Sequence, residues 1–373
     1  MGLLFSVKLI FNKGISLRKS LLYTAFLLAL GGSAGWLASK TLMPLPWMIG
    51  SLLMCAVWSI NFGTKIIPAN YTFPQKFRNY FVAIIGVMIG LQVTADLILQ
   101  ITDYLPSLFG LIGCSWCAHF LNYKILTKFG KYDRATAFFS SAPGGLMESI
   151  AMSEEYGGEI KIVTLQQFLR IILVIILVPV IISIWFGAPV GSAAGITIQE
   201  NATITLTDLI YIFFLVIVGL SLGSRLRIPA GHLFGPMLLT VFVTLGTDAN
   251  IRLPNILILV AQVVIGTSLG ARFYGIDKNI LFIAVRLSAL SVVTMLILAF
   301  IFVLVLQSLS NLSVVTLFIS FAPGGVTEMS LIALTIASDP ALVSSHHIFR
   351  IVITVSLLGV IYKKCIKKVH YNG

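Results

Sequence analysis

Charge is scarce in this chain. Only 10% of its 373 residues are Asp, Glu, Lys or Arg, and 58% are hydrophobic, whereas soluble domains carry about 25% charged residues. So little charge excludes a large soluble domain. The longest polar segments are the N-terminal tail and a linker near 187–207. Acids are scarcer than bases, 13 Asp and Glu against 25 Lys and Arg, which leaves a net charge of +12. That excess is not a nucleic-acid footprint, because the basic residues stand in ones to fours between apolar segments rather than on one soluble face. No nucleic-acid partner is expected.

Metal and redox chemistry lack their ligands too. There are four cysteines, Cys55, Cys114, Cys117 and Cys365. Cys114-Ser-Trp-Cys117 has redox-motif spacing, and His119 is close by, but a thioredoxin-like site needs a βαβ setting. No second pair completes a zinc site, so these cysteines are read as packing residues. No His and carboxylate cluster has the spacing of an oxygen-activating centre. No metal, cofactor or enzymatic oxidation is expected. The N-terminus shows no small-residue cleavage site, so no removed signal peptide is expected. Met-Gly-Leu-Leu-Phe-Ser fits the loose myristoylation pattern, but a chain with many spans needs no lipid anchor.

What the chain has is apolar length. Segments able to cross or enter a bilayer recur at 20–39, 46–62, 80–99, 105–123, 135–152 and 162–186, then at 208–224, 232–247, 255–271, 284–306, 315–335 and 344–362. The fold class expected is an all-α polytopic membrane protein whose partner is the lipid bilayer.

The twelve segments are two copies of six. Ser-Ser-Ala-Pro-Gly-Gly-Leu-Met-Glu at 140–148 returns 180 residues later as Ser-Phe-Ala-Pro-Gly-Gly-Val-Thr-Glu at 320–328. Arg170 lies 22 residues after Glu148, and Arg350 lies 22 residues after Glu328. Gly86-x-x-x-Gly90 matches Gly266-x-x-x-Gly270 at the same offset, and Pro44 and Gly50 match Pro229 and Gly235 at an offset of 185. The expected organisation is a cytoplasmic tail at 1–17, a first repeat at 18–187, an extracytoplasmic linker at 188–206, a second repeat at 207–362 and a basic cytoplasmic tail at 363–373. The Gly-x-x-x-Gly pairs permit close backbone approach. They are read as internal packing, and they allow a homodimer without requiring one.

The positive-inside rule orients the chain. Lys8, Lys13, Arg18 and Lys19 place the N-terminus in the cytoplasm, with loops 63–79 and 124–134 inside and the acidic loop 96–104 outside. If both Pro-Gly-Gly segments cross, there are twelve spans and parallel repeats. If both re-enter, each repeat has five spans and the repeats are inverted. The second arrangement puts 21 of the 25 basic residues inside, leaves only Lys40 and Arg252 outside, and puts Arg170 and Arg350 in the membrane. It is the preferred topology, with both termini cytoplasmic.

The Pro-Gly-Gly segments carry the candidate site. Proline lacks an N–H and disfavours helical geometry in the residue before it, and glycine tolerates almost any backbone angle. Pro143, Gly144, Gly145 and Pro323, Gly324, Gly325 should therefore break their helices. Freed backbone groups must be buried in protein or line a wet cavity. The N–H groups of the new helix suit an anion, and broken helices near the midplane are a plan of secondary transporters. Glu148 and Glu328 sit one turn beyond the glycines, as ion-coupling groups or as compensation for the half-helix dipole. Arg170 and Arg350 need partners at membrane depth. The matched glutamate, in the same copy or across the pseudo-twofold, is the leading candidate, and an arginine that holds a substrate carboxylate or phosphate is the other reading. Gln166-Gln167 in the first copy becomes His346-His347 in the second. Adjacent helical residues point about 100° apart, poor geometry for one metal. They read as a pH-responsive break in the symmetry or as interfacial polar residues. Gln92 and Gln262 are further polar positions near the glycine helices.

These motifs, with Pro-Leu-Pro-Trp-Met-Ile-Gly at 44–50, resemble the AbrB membrane-duplication family over nearly the whole chain. The chain departs from it at Pro229-Ala230-Gly231-His232, where members often repeat Pro-Trp. The resemblance implies a bacterial inner-membrane protein of two related halves. It also implies a likeness to the cation/proton antiporter and bile-acid/sodium symporter superfamily. Members are labelled as membrane regulators, distinct from the small soluble DNA-binding proteins of the same name, or as ammonia monooxygenases. The expected function is secondary transport of a small, anionic solute coupled to protons or sodium. A membrane regulator acting indirectly on gene expression is the alternative, and an ammonia monooxygenase-type enzyme the remote one.

Overall fold

Several helices begin at a side-chain cap or with a proline in the first turn, as at Pro46, Arg134, Leu206, Val314 and Pro340. The computed structural model describes residues 17–63, 71–91, 93, 104–187, 205–226, 230–247, 251–310, 312–336 and 338–363. Residues 1–16 of the N-terminal tail, Gln92, residues 96–103 of the acidic loop, residues 188–204 of the linker, Pro229 and the basic C-terminal run from 364 onward lie outside the described residues. No strand occurs among the described residues.

The chain forms α1 (Leu17–Ala38), α2 (Pro46–Asn61), α3 (Gln75–Gly90), α4 (Leu105–Lys128), α5 (Arg134–Ser141), α6 (Leu146–Glu155) and α7 (Ile160–Phe186). These are followed by α8 (Leu206–Arg225), α9 (Gly231–Thr247), α10 (Asn255–Gly270), α11 (Lys278–Leu306), α12 (Val314–Phe321), α13 (Val326–Thr335) and α14 (Pro340–Ile361). The 180-residue offset holds at both ends of the pairs α3/α10, α5/α12 and α6/α13, and at the start of α7/α14. Caps repeat as well. Asp133 accepts from the Thr136 amide at 2.9 Å to start α5, and Ser313 accepts from the Thr316 amide at 3.1 Å to start α12. Each is a side-chain oxygen at the N-cap, satisfying an otherwise orphan N–H.

Six helices are long and apolar enough to cross a membrane: α1 (from Lys19), α7, α8, α10 with the turn after it, α11 and α14. Helices α2, α9 and α13 are apolar but shorter. On α11 the exposed residues Leu290, Val293, Ile297, Ile301 and Leu304 recur every three or four positions. That spacing forms one apolar stripe left exposed by the described residues, as lipid contact requires.

Two compact units result, and neither is a sequence repeat. The first comprises α1–α3, α8–α10 and the end of α7 from Pro179. The second comprises α4–α6, α7 up to Val178, α11, α12, α13 up to Ala333 and α14. Each therefore draws helices from both copies.

Packing in the first unit is reciprocal. A Cβ at Gly90 on α3 would lie 2.6 Å from the Met237 carbonyl oxygen on α9, and one at Gly86 would collide with the Leu233 carbonyl. In the matched place, a Cβ at Gly270 on α10 would lie 2.5 Å from the Leu52 carbonyl oxygen on α2, and one at Gly266 would collide with Met48. The glycine pair of each copy thus seats the second helix of the other, the internal role its spacing indicated. Within copies, Gly50 packs on Ala34 and Ala38 of α1, and Gly235 on Gly219 and Gly223 of α8. The residue before α2, Leu45, has φ 43°, and its counterpart Ala230 has φ 51°.

Candidate functional site: two broken helices

The apolar segments 135–152 and 315–335 are not continuous helices. α5 ends at Ser141 and α6 begins at Leu146; α12 ends at Phe321 and α13 begins at Val326. Ala142 and Ala322, each followed by proline, turn out of helical geometry to ψ 126° and 137°, as the proline ring demands. Gly145 adopts φ +68°, a conformation an L side chain rarely takes. The break exposes the last carbonyls of α5 and α12 and the first N–H groups of α6 and α13. The residues of both breaks, from Ala142 to Gly144 and from Ala322 to Gly324, are buried.

The carbonyl end of each break is held by an arginine. Arg350 Nη1 donates to the Ala322 carbonyl at 2.7 Å, and Nη2 donates to the Gly324 carbonyl at 2.9 Å and to His347 Nδ1 at 2.8 Å. In the first copy Arg170 Nη1 donates to the Ala142 carbonyl, and Nη2 donates to Gln167 Oε1 at 2.7 Å. The residue one turn before each arginine extends the clamp. Gln167 Nε2 donates to the Phe139 carbonyl at 2.8 Å, and His347 Nε2 lies 3.0 Å from the Ile319 carbonyl.

These bonds correct the expected Glu–Arg pairing. Within each copy, the hydrogen bonds of Arg170 and Arg350 go to backbone carbonyls and to the residue one turn back, not to Glu148 or Glu328. The physical reason is the helix end itself: its partial negative charge and unmade carbonyl bonds offer a buried guanidinium what a carboxylate would have offered.

The glutamates sit at the opposite pole. Each is third in its half-helix and folds back over the glycine at the break. A Cβ on Gly145 would lie 3.4 Å from Glu148 Oε2, and one on Gly325 would collide with the Glu328 carboxylate. An acid in the first turn complements the helix N-terminus. The copies differ in exposure: Glu328 is only 4% exposed, whereas Glu148 is an exposed residue.

The first break packs on the second copy. Gly144 faces Ile351, Gly145 faces Val355 and Met152 faces Gly359, all along α14. An aromatic cluster of Phe138, Phe139, Tyr156 and Tyr362 closes this end, with the Tyr156 and Tyr362 ring centroids 4.8 Å apart. Gln262 is buried on α10 in the other unit. Cys114 is buried and Cys117 is exposed; both are free.

Sequence reasoning missed two buried polar residues on α4, Ser107 and Asn122, and placed a third, His119, only beside the cysteine pair. His119 Nδ1 lies 3.2 Å from Ser141 Oγ at the break, while His119 Nε2 and both side-chain polar atoms of Asn122 have no hydrogen-bond partner among the described residues. Ser107 meets His346. Their spacing along one face of a helix was the available signal.

A family model described as "Transition state regulatory protein AbrB" matches residues 47–365. The chain is 24% identical over 364 residues to "Uncharacterized protein YhjN" of Bacillus subtilis (strain 168), covering 92% of this chain and 94% of that protein. It is likewise 24% identical over 322 residues to "Putative regulator AbrB" of Escherichia coli (strain K12), covering 86% of this chain and 89% of that protein.

Proposed function

This chain belongs to the AbrB family, and from that premise we propose that it is a secondary transporter of a small anionic solute, coupled to protons or sodium across a bacterial inner membrane. The observation that carries the reading is the matched pair of breaks, each with a guanidinium clamped on its carbonyl end and a carboxylate folded over its N–H end. Half-helices of 8 and 10 residues reach about 12 and 15 Å, and neither spans a hydrocarbon core of about 30 Å alone. In this reading both segments re-enter, the repeats are inverted with five spans each, and both termini are cytoplasmic. The reciprocal contacts of the two copies support a twofold relation between them.

In the proposed cycle the amides of Gly144, Gly145 and Gly325 receive the anion, and that of Gly324 joins them on leaving the Ala322 carbonyl, to which it donates at 2.9 Å. Arg170 and Arg350 contribute positive charge while holding the breaks open, and Glu148 and Glu328 hold the coupling ion. No covalent step is involved. The test is flux of a panel of small carboxylates and phosphates into proteoliposomes, with and without imposed proton or sodium gradients. Gradient-driven flux is expected, and a Glu148→Gln/Glu328→Gln variant should abolish its coupling. Saturable binding of a metabolite with no flux under any gradient would instead support a membrane regulator, the reading favoured by the name of the Escherichia coli relative.

A further inference from the structure

The second unit contains one more reciprocal pair, and its two members differ in chemistry. In one, Gln166 of α7 accepts from Ser288 of α11 and donates to Tyr132. Neither an amide nor a serine hydroxyl changes charge in water. In the other, His346 of α14 meets Ser107 of α4, with Nε2 2.8 Å from Ser107 Oγ. His346 Nδ1 lies 3.0 Å from the Leu342 carbonyl, which can only accept, so Nδ1 carries a hydrogen. Ser107 Oγ also lies 2.7 Å from the Tyr104 carbonyl.

One hydroxyl therefore serves two charge states. If Ser107 donates to Tyr104, its oxygen accepts an Nε2–H, and the ring is a fully bonded imidazolium. If Ser107 donates to Nε2, the ring is a fully bonded neutral imidazole. A proton can arrive or leave without stranding a ring nitrogen, which burial would penalise heavily. The neighbouring histidines lack this property. Arg350 fixes His347 Nδ1 as an acceptor. Ser141 Oγ, 2.8 Å from the Phe138 carbonyl, can serve His119 Nδ1 in either direction, but His119 Nε2 has no hydrogen-bond partner among the described residues, so an imidazolium there would leave one N–H unbonded.

We propose that His346 is a proton-binding site, additional to the two glutamates, and that the second copy alone possesses it. On the reading of the protein as a transporter, this puts a proton-responsive group next to the clamp residue His347 in the second copy, where the first has Gln166 beside Gln167. The charged and titratable groups around His346 are His347 and Arg350 on its own helix, with Asp339 capping that helix two turns away. From α4 comes Cys114, from the residue before it Tyr104, and α13, whose Ser330 hydroxyl meets Ser344 of α14, carries Glu328. Helix α12 brings no ionisable residue, and α6 places Glu148 lower on α14, beside the Val355 contact.

The experiment is solid-state NMR of the full-length, histidine-15N-labelled protein in liposomes, from about pH 5 to 8, the range of histidine switches. One ring is expected to pass from the neutral Nδ1–H tautomer to imidazolium, and its signals should vanish in His346→Gln. Glutamine occupies the same position in the first copy, so this variant retains a side chain that the fold accommodates. In Ser107→Ala the midpoint should move to lower pH, because the imidazolium loses its acceptor. A His346 signal that stays neutral down to pH 5, or a titration unmoved by Ser107→Ala, overturns the proposal. Absence of anion flux leaves these spectra unchanged and sinks only the transport reading.

Discussion

Arg170 and Arg350 illustrate how a buried cation is accommodated by backbone carbonyls. Both donate to the carbonyl of the alanine that precedes proline, so the groups freed by the break also satisfy the arginine. Lysine cannot present two parallel donors. Arg350→Lys should therefore cost about 1–3 kcal/mol, read as a lower melting temperature in detergent, while Arg225→Lys at an exposed site should change nothing measurable. Glu148→Gln should leave stability nearly unchanged, because Glu148 is exposed and Arg170 bonds elsewhere; a large drop would revive the ion-pair reading. The matched residues Leu45 and Ala230 share a left-handed conformation that costs an L residue about 1–2 kcal/mol. Ala230→Gly should raise the melting temperature. Leu45→Gly should lower it, since Leu45 is fully buried and its removal forfeits about 2–5 kcal/mol of packing.

At the scale of elements, the glycine pairs decide which helices can touch. Gly86 and Gly90 seat α9, and Gly266 and Gly270 seat α2, so closely that an added methyl meets backbone oxygen. Gly90→Ala or Gly270→Ala should cost about 1–3 kcal/mol through overpacking, with the same sign in both copies, as thermal unfolding would show. Gly246→Ala, where a Cβ has open space, is the control and should be neutral or slightly stabilising. The breaks were legible from Ala-Pro-Gly-Gly alone, because proline and glycine act on their own backbone. The arginine's partner was not. Twenty-eight residues separate Arg350 from Ala322, and nothing in the spacing distinguishes a carbonyl from a carboxylate as acceptor.

At the scale of the whole molecule, apolar length and scattered basic residues define a multi-helix protein of the bilayer, with six helices long enough to span it. The proposed inverted topology predicts that Ser192→Cys in the linker reacts with an impermeant thiol reagent from outside the cell. Reaction from the cytoplasm alone would favour the parallel arrangement.

The sequence by itself determined the all-helical class, the duplication, the position of both breaks and the identity of the residues around them. Each follows from local chemistry: hydropathy over a helix length, the missing N–H of proline and the freedom of glycine. Only the tertiary structure decided that the packing units mix the two copies, that each glycine pair serves the other copy's helix, that Arg170 and Arg350 bind carbonyls, and that Ser107 stands against His346. Those outcomes depend on which surfaces meet after folding. Periodicity shows that a helix has a face to bury, but the partner of that face is chosen by shape and hydrogen bonding across the whole chain.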